Sequence, residues 1–103
     1  MAIKSFPNKR SAETITITFD EFSMLGNGET ISTAVFSAAY FGGTNDASPQ
    51  NIITGSSTIS GSKVMQRITA GVSGTYYCIT ATVTTSAGQI LTPRGILLVL
   101  DEF

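Results

Sequence analysis

Apolar and polar residues alternate with a period of two along most of this chain, and no stretch has the i, i+3, i+4, i+7 spacing of an amphipathic helix built from good helix formers. From Glu13 to Asp20 the pattern is clean: Ile15, Ile17 and Phe19 share one face, and Thr14, Thr16 and Thr18 share the other. Side chains alternate across a strand, so this predicts a half-buried strand. After a connection over 21–28 that ends in Gly26-Asn27-Gly28, a second strand runs from Glu29 to about Tyr40. Its inward frame is open, because Ile31 and Val35 lie on one face and Phe36 and Tyr40 on the other. Residues 42–51 read as a long loop. Two short strands follow, Ile52 to Thr54 and Ser57 to Ser60, split by Gly55, and then Lys63 to Thr69 with Val64 and Ile68 inward.

Thr75 to Thr85 is the longest predicted strand, with Tyr77, Ile79, Ala81 and Val83 on the apolar face. Ser86-Ala87-Gly88 closes a hairpin in which Gly88 suits a positive φ. The last strand, Gln89 to Leu100, is interrupted by Pro93 and Gly95. Pro93 lacks an N–H, which places the first half at an edge or bulge. The second half, Ile96 to Leu100, is apolar on both faces and is expected to be sandwiched. About seven short, turn-linked strands predict an all-β fold, an immunoglobulin-like sandwich of antiparallel strands, with a small closed barrel as the alternative. The expected core is Ile15, Ile17, Phe19, Ile31, Val64, Ile68, Tyr77, Ile79 and Val83. The expected organisation is an extended N-terminal arm over 1–12, one sandwich domain over 13–100 and a C-terminal tail over 101–103.

Composition narrows the chemistry. The chain has 103 residues, enough for one domain and one core. Serine and threonine together number 27, in keeping with pleated surfaces and turns. Six Lys+Arg against seven Asp+Glu leave a net charge of -1, which argues against a duplex-DNA binder with a basic face. With no histidine and one cysteine, the chain cannot build a Ser-His-Asp or Cys-His relay, a His-liganded metal site or an internal disulfide. No cofactor and no enzymatic activity are expected. The head of the chain lacks the apolar run of a signal peptide, and no stretch approaches the roughly 18–20 apolar residues of a membrane helix. A lone cysteine without an export signal suits synthesis in a reducing cytoplasm.

Few positions remain as candidate sites. Cys78 has no histidine to activate it and reads as a small half-buried residue. Asn45-Asp46 within 42–51 is the one place to look for calcium, and it falls short of the six to eight oxygens that ion takes. Gly26-x-Gly28 and Gly42-Gly43 are not phosphate loops, since no helix or Lys-Ser/Thr follows in register. Gly74-Thr75-Tyr76-Tyr77-Cys78 is similar to the immunoglobulin strand whose tyrosine precedes a cysteine by two. Its partner cysteine and core tryptophan are missing, and the apolar face holds Tyr77 rather than Tyr76. Lys4, Lys9 and Arg10 make the head basic, Asp101 and Glu102 make the tail acidic, and neither Phe6 nor Phe103 is accounted for by a strand pattern. These seven residues are the candidate contacts with neighbouring subunits or partners, because an aromatic on a terminus would otherwise be wet.

Three segments carry a family resemblance: Lys9-Arg10-Ser11-Ala12-Glu13-Thr14-Ile15-Thr16-Ile17-Thr18-Phe19, Leu25-Gly26-Asn27-Gly28-Glu29-Thr30-Ile31-Ser32, and the run from Gly71-Val72-Ser73-Gly74 through the tyrosine strand to Thr84-Thr85-Ser86-Ala87-Gly88. In order and spacing they resemble small tailed-bacteriophage virion proteins of the fibre–tail adaptor family, with Leu97-Leu98-Val99 as the closing strand. The family's tryptophans in the first two strands are absent, and Phe19, Phe22 and Phe36 could fill that volume. The resemblance implies a non-enzymatic virion structural protein located in the tail region. It would be an adaptor that bridges tail and tail-fibre or head–tail proteins through a homo-oligomeric ring, with no nucleic-acid or membrane partner. A capsid decoration or cement protein of the same fold is the first alternative, and a carbohydrate-binding or adhesion module using Tyr40-Phe41 or Tyr76-Tyr77 is the second.

Overall fold

The structure is a computed structural model that describes residues 4–6, 8–20 and 29–101. The predicted turn at Gly26-Asn27-Gly28, together with Phe22, Glu102 and Phe103, lies outside the described residues. Among the described residues there are eight strands: β1 (Lys4–Ser5), β2 (Ile15–Phe19), β3 (Ile31–Gly43), β4 (Ile53–Ser60), β5 (Lys63–Ile68), β6 (Thr75–Thr85), β7 (Ile90–Leu91) and β8 (Arg94–Val99). One turn of 3-10 helix, Pro49–Ile52, precedes β4. The smaller sheet has the order β2-β5-β4, and the larger β1-β8-β6-β3, with β7 also on β6. All pairs are antiparallel except β1 with β8. The two sheets pack into a sandwich. Its order is that of an immunoglobulin domain: β2, β5 and β4 take the B, E and D places, and β3, β6 and β8 take C, F and G.

The alternating strands fold as their patterns require. Phe19, Val64, Ile68, Tyr77, Ile79 and Val83 are fully buried, Ile17 and Ile31 nearly so, and Ile15 packs against the cluster half-buried. Phe19 stacks on Phe36 across the sandwich, with ring centroids 5.9 Å apart. A bulge decides the frame of β3, which the sequence leaves open. The register against β6 slips between Ile31 and Thr33. The extra residue flips the strand, so Ile31 points inward before it and Phe36 and Ala38 point inward after it. Val35 is left 65% exposed on the outer face.

β4 is one strand, not the two expected. Its register slips between Thr54 and Thr58, around Gly55 at φ 73°. The carbonyls freed there are taken by Gln66, a buried polar residue whose Nε2 donates to the oxygens of Thr54 (2.7 Å) and Gly55 (3.2 Å). Pro93 splits the last strand as predicted. β7 and β8 both pair with β6, and the Pro93 carbonyl still accepts the Ala81 N–H between them. β8 is not sandwiched on both faces: Leu97 and Val99 are buried, whereas Ile96 and Leu98 are half-exposed on the outside.

Candidate interface

The head of the chain is where the structure departs furthest from the sequence-based picture. An arm with little to hold it on its own subunit was expected over 1–12. Instead the described part runs parallel to β8. Phe6 N–H donates to the Ile96 carbonyl (3.0 Å), Lys9 N–H to Leu98 (3.0 Å), and Leu100 N–H back to Lys9 (2.8 Å). Phe6 is 7% exposed and meets Phe19 edge-on at 5.5 Å between centroids. Its ring lies over Gly95, where a Cβ would collide with it. Phe6 is therefore a core residue of its own domain, and only a glycine opposite allows it to be one.

Lys9 is likewise held within its own domain. Its side chain is fully buried, and Nζ donates to the carbonyl oxygens of Ala70 (2.7 Å), Arg10 (2.7 Å) and, more distantly, Ser11 (3.4 Å). Ala70 holds a left-handed φ of 53°, a conformation uncommon outside glycine. The buried ammonium thus ties the head of the chain to the β5–β6 turn. Burial pushes the Lys9 ammonium below its usual range, opposed by the nearby carboxylates of Glu13 and Asp101. Asp101 binds Ser11 twice, through the backbone N–H (2.7 Å) and the hydroxyl (2.8 Å), and these bonds hold its carboxyl below the usual range. Head and tail do come together, but they do so within one subunit. Lys4 contributes backbone to β1, Arg10 is exposed, and Glu102 and Phe103 lie outside the described residues.

A second cluster sits at the corner before β6. The Tyr77 hydroxyl donates to Asp46 Oδ2 (2.6 Å) and accepts the Val72 N–H (2.9 Å). A tyrosine near the start of the F strand, bonded to backbone just upstream, is the tyrosine corner of immunoglobulin-like domains. Tyr77 fills that role, and Ile79 stands where the cysteine would be two residues on. Asp46 Oδ1 accepts the Ser48 N–H (2.9 Å), so each carboxylate oxygen already has a protein donor. Among the described residues no group of three His, Cys, Asp or Glu could hold a metal ion.

The Tyr77 bond, followed by that from Ser48, holds the Asp46 carboxyl below its usual range, while burial and then Asp46 raise the Tyr77 phenol. A lowered carboxyl pKa contributes stability above its unfolded value of 3.8, and that stability is lost as the pH falls through the folded value. Asp46→Asn should therefore remove part of the acid sensitivity of melting below about pH 4. Thermal melts of both proteins from pH 2 to pH 7 check this, and parallel curves would contradict it.

The outer face of the larger sheet is the remaining feature. The cross-strand registers place Ala39, Cys78 and Ile96 in one row and Tyr76 beside Leu98 in the next. Tyr76 is 42% exposed, and Phe41, in the bulge between Tyr40 and Gly42, is 58% exposed. The other half of this face is mostly polar, with Ser37, Thr80 and Arg94 in one row, although in the next Thr82 lies beside the exposed Val35. One end of an otherwise hydroxyl-covered sheet is thus apolar and open. Cys78 sits in this patch, half-buried.

No curated protein matches the chain. Residues 9–97 match the family described as the podophage GP4 fiber-tail adaptor protein gp77. That span runs from the buried lysine through the tyrosine corner into the closing strand, and the chain belongs to this fiber-tail adaptor family.

Proposed function

We propose that the protein is a non-enzymatic component of the phage tail, present in several copies arranged as a ring, that joins tail and fibre proteins through the outer face of its larger sheet. The family match supports the adaptor role. The apolar end of that face, with Ala39, Cys78, Ile96, Leu98 and Tyr76, is the observation that carries the choice of surface. Contiguous apolar patches on soluble domains mark interaction sites. Phe6 and Lys9 are buried in their own domain, and the remaining terminal candidates for contacts in assembly are Lys4, Arg10, Asp101, Glu102 and Phe103, of which Arg10 and Asp101 are exposed.

The test places a charge at the β3 side of the patch, where it leaves the core untouched. Ala39→Arg is on the exposed face of an edge strand, so its stability should stay within about 0.5 kcal/mol of the parent's. Incorporation into purified tails should fall at least tenfold, because a desolvated, unpaired charge costs several kcal/mol. Normal incorporation would overturn this choice of surface.

A further inference from the structure

Each sheet of a sandwich has edges, and proteins protect them with bulges, proline, charge or cover. The edge of β3 is capped by side chains: Gln50 Oε1 accepts the Ala38 N–H (2.9 Å), and Ser57 Oγ donates to the Ala34 carbonyl (2.6 Å). The edge of β4 is broken by its bulge. β1 and β7 are two residues each. Among the described residues β2 has none of these devices at Thr16. It is Ile-Thr-Ile-Thr-Phe, with an unbroken register against β5 and no proline or charge.

The direction of its backbone follows from β5. Thr69 N–H donates to Ile52, and the Arg67 carbonyl accepts from Gln66 Nε2 in the gap beside β4, so odd residues there face β4 and Ile68 and Gln66 face β2. These pair with Ile15 and Ile17, which leaves Thr16 facing outward. The backbone N–H and carbonyl of Thr16 have no partner among the described residues. In an immunoglobulin ABED sheet this side of B is occupied by strand A. Here the leading strand lies on β8 in the other sheet, and a groove of about 450 Å³ runs along β2, lined by Phe6, Asn8, Glu13 and the strand residues Ile15, Thr16, Ile17 and Thr18.

We propose that the edge of β2 is a strand-acceptor site, at which an extended segment of a neighbouring tail or fibre protein pairs with the backbone at Thr16 and sets alternate apolar side chains into the groove. Backbone pairing selects an extended peptide over any other ligand. The charge of the site selects further: Glu13 lines the groove, Asp20 follows the strand, and no lysine or arginine lines it. The incoming segment is therefore neutral or basic, with apolar residues at every second position. This rests on the adaptor reading and adds a second, chemically different attachment point to it, which a bridging protein needs.

The experiment is Thr16→Pro, which deletes the outward N–H without removing a bond to β5. The variant should melt within a few degrees of the parent yet enter purified tails at least tenfold less, while Thr16→Val enters normally. A folded Thr16→Pro that assembles like the parent overturns the proposal. If that variant does not fold, amide exchange of the parent decides: exchange at Thr16 should slow at least tenfold in purified tails relative to the free protein, and equal exchange overturns the proposal. A photo-reactive residue at position 16 should cross-link to another virion protein, and adducts confined to a second copy of this chain overturn the stated occupant. Retention of the parent in tails with an unprotected Thr16 removes only this site, whereas its absence from tails removes the adaptor reading as well.

Discussion

Phe6→Ala should destabilise the domain by about 3–5 kcal/mol, the range for deleting a buried aromatic ring. A domain of this size holds only about 5–15 kcal/mol in total. The melting temperature should drop on the order of 15–25 °C, since 1 kcal/mol corresponds to several degrees at this chain length. The loss is large because Phe6 does more than fill space. It meets Phe19 edge-on and covers Gly95, so its removal leaves a void beside a residue with no side chain to fill it. Gly95→Val should produce a similar loss by the opposite route, by expelling the ring. Thermal and denaturant unfolding of the two variants check the pair, and a change below about 1 kcal/mol in both would show that the head of the chain does not belong to the core.

Ile79→Ala is expected to cost about 2–5 kcal/mol, toward the upper end. Ile79 is fully buried at the middle of β6, and its neighbours in the same row are Ala38 on one side and Gly95 on the other. Neither can extend into the space an alanine would leave, so the cavity stays open. Thr82→Ala, three residues along and exposed on the outer face, should change stability by no more than about 0.5 kcal/mol. Equal effects at the two positions in urea unfolding would mean that the frame of this strand is wrong.

How much of this was legible in the sequence depends on how local each determinant is. Ile15, Ile17 and Phe19 alternate with threonines, and Ile79, Ala81 and Val83 alternate with Thr80, Thr82 and Thr84, so both frames are evident from the chain alone. β3 is different. It has apolar residues on both faces, and its frame is set by an extra residue after Ile31 that shows only in the pairing with β6. β1 is illegible for another reason. Two residues before a proline have no period, and what holds them is a strand some ninety residues away. Lys9 and Gln66 break the rule that polar residues face water, because each satisfies backbone carbonyls freed by a turn or a bulge that composition does not reveal. The absence of histidine and of a second cysteine is a matter of residue types and reads directly. The surfaces through which an adaptor would work are tertiary objects. The apolar end of the larger sheet joins β3, β6 and β8, and the outward backbone of Thr16 on β2 has no described strand beside it because β1 lies on β8 in the other sheet.

The parallel pairing of the first strand with the last also fixes how the domain responds to being pulled. A force applied to the two chain ends runs along β1 and β8 in opposite directions. The bonds from Phe6 to Ile96, from Lys9 to Leu98 and from Leu100 to Lys9 then lie across the force and carry it together. An antiparallel pair of terminal strands would peel apart one bond at a time. In this arrangement the strands must slide past each other, with the Phe6 ring dragged from its seat on Gly95 and the Lys9 ammonium from its carbonyls in the same movement. Tension between the ends is therefore met in shear, with several bonds and a buried ring resisting at once.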